Sequence, residues 1–188
     1  MMRTLLSFSQ QIERLSSIMG RIGAWAIIAL MLVIITDVAL RRWFVIGSTK
    51  LQELEWHLHG ALFLLCLGWA YGRNAHVRIE LVSERLSDRT RAWIELLGCL
   101  LFLTPYVAAI LIFGADYVSY SFAYNEASAS PTGLSNRWII KAFIPIGFAL
   151  LGITAVSRCI NAIAFLFGDE EAARMSSFSR THAHEGES

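Results

Sequence analysis

"LLGCLLFLTPYVAAILIFGA", residues 96–115, runs for twenty residues without a charge, between Glu95 and Asp116. A bilayer hydrocarbon core is about 30 Å thick and takes roughly 20 helical residues to cross. This stretch meets that length alone. Three further apolar runs flank it. Residues 22–36 lie between Arg21 and Asp37, and residues 60–72 extend back to 56 if the histidines are neutral. Residues 142–157 lie between Lys141 and Arg158, with apolar character resuming to Phe167. These three reach a span's length only if polar residues at their ends lie in the headgroup zone or under protein cover.

The pattern predicts an all-α membrane protein, with four transmembrane helices in a bundle at about residues 20–45, 52–72, 93–120 and 138–167. Hydrophobic residues make up 55% of the 188, and the formal net charge is +1. So small a net charge gives no bulk field for nucleic acid. Residues 1–21 read as an amphipathic N-terminal arm and 22–168 as the membrane domain. Residues 169–188, "DEEAARMSSFSRTHAHEGES", lose the apolar period and read as a disordered tail. The first span is expected to stay uncleaved, because "DVALRR" follows it rather than a small-residue cleavage site.

Four spans place both termini on one side. The sixteen Lys and Arg then divide eleven to five in favour of that side. The positive-inside bias makes it the cytoplasmic side, although Arg41 and Arg42 pull the other way. All six tryptophans, Trp25, Trp43, Trp56, Trp69, Trp93 and Trp138, fall toward span ends, as an interfacial belt requires. The connection "GRNAHVRIELVSERLSDRTRAW" alternates charge with Val77, Ile79, Leu81, Val82 and Leu86. It reads either as an amphipathic piece on the inner leaflet or as a solvated loop.

Few groups suit cofactor chemistry. His57 and His59 are about 200° apart on one helix, so they cannot both face one haem iron. No other predicted span holds a histidine. Glu53 with His57, and Glu55 with His59, share helical faces, but Cys66, Cys99 and Cys159 lie on three spans with no C-x-x-C. No metal site, cofactor or catalytic motif is expected. Ser128 and Ser130 read as turn and cap residues around Pro131 and Gly133.

The charges at the span ends carry more information. Asp37 and Arg41 form an i,i+4 pair, Glu53 and Glu55 stand at the entrance of the second span, and Arg158 interrupts the last. Each faces either headgroups or protein. Asp37, Arg41, Arg42, Glu53, Glu55, Trp56, Arg137, Trp138 and Lys141 are the candidates for contact with a partner or with lipid headgroups. Gly68 and Gly72 form a G-x-x-x-G that permits close helix approach. Pro105, Pro145 and Gly147 are the other packing positions, the prolines as helix kinks.

The residues "DVALRRWF", "LQELEWHLHGALFLLCLGWAYGRNAHVRIELV", "LSDRTRAWIELLG" and "NEASASPTGLSNRWIIKAFIPIGFALLGI" occur in an order that resembles one family. It is the small membrane subunit of tripartite ATP-independent periplasmic (TRAP) transporters. Glu126, Ser128, Gly133, Leu134, Trp138, Lys141, Pro145 and Gly147 carry the most specific part, and residues 20–165 are covered. The texture is closest to the branch labelled mannitol/chloroaromatic-type, in the unfused form. "LSNRW" after Gly133 departs from the expected small turn residue. The resemblance implies a non-catalytic subunit that packs on the static scaffold of a large permease subunit. That partner imports an organic acid with sodium, fed by a periplasmic binding protein. Neither substrate nor sodium is expected to bind this chain, and membrane lipids are its other expected partners. The rival reading, a four-helix redox or cofactor-binding subunit, lacks paired ligands.

Overall fold

The computed structural model describes residues 2–73 and 86–168. The C-terminal tail, most of the expected amphipathic connection, and His76, His182 and His184 lie outside the described residues. Among the described residues the only regular structure is helical. Helix α1 covers Met2–Trp43, α2 Thr49–Gly72, α3 Asp88–Gly98, α4 Thr104–Ala123 and α5 Trp138–Phe167. A π-helical segment, Cys99–Leu103, joins α3 to α4.

The N-terminal arm and the first span are one 42-residue helix. Its inner face is narrow. Leu6, Ser9, Ile12, Ser16, Gly20, Gly23 and Asp37 are buried along it, at steps of three and four where they follow closely. The outer face carries Ile22, Trp25, Ile28, Met31, Leu32 and Ile35, all exposed.

The π segment has a local cause. Pro105 has no N–H to give to the carbonyl four residues back. The ladder widens just before it, so that the Thr104 N–H reaches Cys99 O. The Thr104 hydroxyl donates to the same carbonyl at 2.8 Å. One wide turn thus absorbs the defect that the sequence reads as a kink.

α3, the π segment and α4 form one continuous helical stretch, and α1, α2, that stretch and α5 alternate in direction. α5 is central: α1 and α2 pack on one side of it, and α3 and α4 on the other. α2 and α5 run parallel and touch through glycine. A Cβ on Gly68 would come within 2.9 Å of the Leu150 backbone, and one on Gly147 within 2.6 Å of Leu64 O. Gly72 faces Thr154 in the same seam. Pro145 packs its ring toward Gly114 of α4.

Most of what is buried is small or polar, such as Ala61, Ala92, Ala155, Ala162, Ala164, Ser9, Ser157 and Thr154, beside a few larger groups such as Leu6 and Leu151. What is exposed is large and apolar, including Phe63, Leu100, Phe102, Phe113 and Ile153. A water-soluble chain does the reverse. In lipid there is no hydrophobic drive between helices, so close backbone approach and hydrogen bonds hold them together. Three helical stretches, Thr4–Trp43, Asp88–Ala123 and Trp138–Phe167, are long and apolar enough to cross a membrane. α2 has 24 residues but is not among them; Glu53, Glu55, His57 and His59 occupy its first half.

Candidate functional site

Four polar clusters tie the helices together. The first holds the connection between α4 and α5. Glu53 is buried in the first turns of α2. Its carboxylate accepts the Leu134 backbone N–H at 2.6 Å and the Ser128 hydroxyl. Ser128 N–H donates to Leu134 O at 3.0 Å, and Ser128 Oγ accepts from Ser130 N–H at 3.1 Å. A Cβ on Gly133 would lie 2.8 Å from Glu53 Oε1, so the loop closes around the carboxylate only with glycine there. Asn125 and Asn136 take positive φ at the two ends of the loop, a conformation asparagine tolerates.

The same loop is anchored again by charge. Lys141, buried in the first turn of α5, pairs with Glu126 and lies 3.8 Å from the centre of the Tyr117 ring. Arg137 N–H donates to Glu126 O at 3.0 Å. Donation from the Lys141 ammonium holds the Glu126 carboxyl below its ordinary value of 4.5. A depressed carboxylate stabilises the fold above its ordinary pKa, and that contribution disappears as pH falls through the lower folded value. Protection of residues 124–137 against an acid-active protease is therefore expected to hold from pH 7 to about 5 and to fall below about pH 4. In Glu126→Gln that acid step should shrink without vanishing, because protonation of Glu53 loosens the same loop; an unchanged step would assign it to Glu53 alone.

The second cluster joins α1 to α2. Asp37, 2% exposed, pairs with Arg41. Arg41 also donates to the Gln52 amide oxygen at 3.1 Å, with the amide oriented to satisfy both its ends. Arg42 and Trp56 are exposed, while Glu55, Arg137 and Trp138 are half-buried. His57 uses Nδ1 on the Glu53 carbonyl of its own helix, and His59 is exposed. Among the described residues no three His, Cys, Asp or Glu side chains gather as a metal ligand set.

The third cluster lies at the other end of the molecule. Arg158 Nε pairs with Glu95 Oε1 at 3.3 Å, with side chains 6% and 10% exposed. The Tyr71 hydroxyl donates to the same Glu95 oxygen at 2.9 Å and lies 2.8 Å from Cys99 Sγ. This network joins α2, α3 and α5. In the fourth, Asn161 Nδ2 donates to Ser9 Oγ at 2.7 Å, and Ser9 Oγ lies 2.7 Å from Ser157 Oγ. Thr154 donates to Ser16 at 3.3 Å. These bonds fasten the first half of α1 to α5.

Thus Glu53, Lys141, Asp37 and Arg41 meet groups within the chain. Glu95, Tyr71, Asn161, Ser9 and Ser157 were not singled out from the sequence, and Glu126 was marked only by the family resemblance, without its partner Lys141. A usable signal existed for some of them: Ser9 and Ser16, seven apart, and Ser157 and Asn161, four apart, each repeat on one helical face. Glu53→Ala is expected to leave Leu134 N–H and Ser128 without their acceptor. Proteolysis within 124–137 should then be about tenfold faster. Wild-type cleavage rates would show that the loop does not depend on this carboxylate.

The geometry is that of a helical membrane unit with Asp37, Glu53, Glu95, Lys141 and Arg158 turned inward and large apolar side chains turned outward. No curated protein matches the chain. The family model described as "Tripartite ATP-independent periplasmic transporters, DctQ component" matches residues 30–165. That range takes in the π segment, the Glu53-centred loop and the α2–α5 glycine seam. The chain belongs to the DctQ component family of the tripartite ATP-independent periplasmic transporters.

Proposed function

We propose that this chain is the small membrane subunit of a sodium-coupled, binding-protein-dependent importer of organic acids. It packs on the static scaffold of the large permease subunit and stabilises it, without binding substrate or sodium. All four helical layers span the inner membrane, α2 included, with both termini in the cytoplasm. The loop 124–137 then faces the periplasm, where it is available to the binding protein.

The observation that carries this reading is the direction of the charges. Asp37, Glu53, Lys141, Glu95 and Arg158 are spent on contacts within the chain. The outer faces of α1 and α4 offer large apolar side chains. A rigid scaffold element has that form. The test is sodium-driven uptake into proteoliposomes holding the large subunit and binding protein, with and without this chain. Uptake that needs both the chain and a sodium gradient is expected. Equal uptake without the chain would contradict the role, and uptake without the gradient would contradict the coupling.

A further inference from the structure

A recess of about 320 Å³ opens where the first half of α1 meets the last turns of α2 and the middle of α5. Arg14, Arg21 and Arg73 line it, opposed by the single carboxylate of Glu13. Among the described residues none of these four forms an ion pair. Like charges gathered at one recess repel one another unless an anion sits among them. Trp69 also lines the recess, and its buried Nε1 has no hydrogen-bond partner. The recess therefore offers guanidinium groups, which bind phosphate oxygens.

Its position adds a second constraint. Arg21 ends the polar half of α1 and precedes the apolar run that starts at residue 22. The same Arg21 borders a second, shallower recess lined otherwise by Ala24, Trp25 and Ile28. The polar recess and the apolar one on α1 thus share Arg21 as a common wall. A free anion uses only the first; an amphiphile uses both.

We propose that Arg14, Arg21 and Arg73 form a headgroup site for an anionic phospholipid, with an acyl chain laid along Trp25 and Ile28. Three guanidinium groups against one carboxylate select a headgroup of net negative charge over a zwitterionic one. The lipid would also fill the angle between the three helices at their junction.

The test uses the full chain, purified with any membrane subunit that accompanies it, in phosphatidylcholine nanodiscs titrated with phosphatidylglycerol. Retained lipid is counted by native mass spectrometry after release. Wild type is expected to retain phosphatidylglycerol over phosphatidylcholine. Each of Arg14→Gln, Arg21→Gln and Arg73→Gln should weaken retention about fivefold, while Arg42→Gln, at the opposite end, should not. Glu13→Gln should strengthen retention, a gain that misfolding cannot mimic. Equal retention of the two lipids by wild type, or no response to the arginine and Glu13 changes, overturns the proposal. So does displacement of phosphatidylglycerol by millimolar inorganic phosphate, which would make the recess a site for the free anion.

Discussion

Arg158→Ala is expected to destabilise the protein by about 3–5 kcal/mol, the cost of leaving a buried carboxylate without its partner. Glu95 and Arg158 are both almost fully buried, and the low-dielectric surroundings offer the abandoned charge little water. Tyr71 would still donate to Glu95, which moderates the loss without removing the charge. The sharper form of the test is the double variant Glu95→Leu with Arg158→Met. An apolar pair of similar volume removes both desolvation costs, so the double variant should be more stable than Arg158→Ala alone. Thermal unfolding of the purified protein in one detergent compares all three. A double variant no better than the single would show that the pair acts through geometry that leucine and methionine cannot supply.

Gly147→Leu is expected to cost about 3 kcal/mol, through overpacking at the α2–α5 crossing. Even a methyl group there meets the Leu64 carbonyl oxygen at 2.6 Å, and a backbone atom cannot swing aside as a side-chain tip can. Gly68→Leu meets the Leu150 backbone in the same seam, so combining the two should not give the sum of the separate losses. Gly98 supplies the contrast. A Cβ there meets nothing within 4 Å, so Gly98→Ala should gain up to about 1 kcal/mol from helix propensity. Unfolding temperatures that rank Gly147→Leu with Gly98→Ala would remove the seam from the list of stabilising contacts.

Three of the membrane-length helices were legible because a run such as residues 96–115 has no other comfortable solvent. The boundaries of the last helix, 138–167, also followed from apolar length, bounded by the Pro131–Gly133 loop. The G-x-x-x-G of Gly68 and Gly72 was readable as a close-approach surface, and it lies in the seam with α5. The role of Glu53 was not readable. Its partners are a backbone N–H and a hydroxyl some eighty residues away, and neither leaves a mark in local composition. The Arg158–Glu95 pair was hidden for a related reason: Arg158 reads as a cation that interrupts the last span, and its partner is known only once α3 brings Glu95 beside it. The direction of the amphipathic arm's packing was not readable either: Ser9 and Ser16 turn inward to α5, and the helix continues without a break into the first span.

The proposed role makes this chain a part held by another membrane protein. Co-purification from the native host tests that most directly. The chain is tagged, extracted in mild detergent, and its companions are identified and quantified by mass spectrometry. The account predicts a large, many-spanning permease subunit in equal amount. A chain that emerges alone, or coloured or metal-loaded, would contradict it.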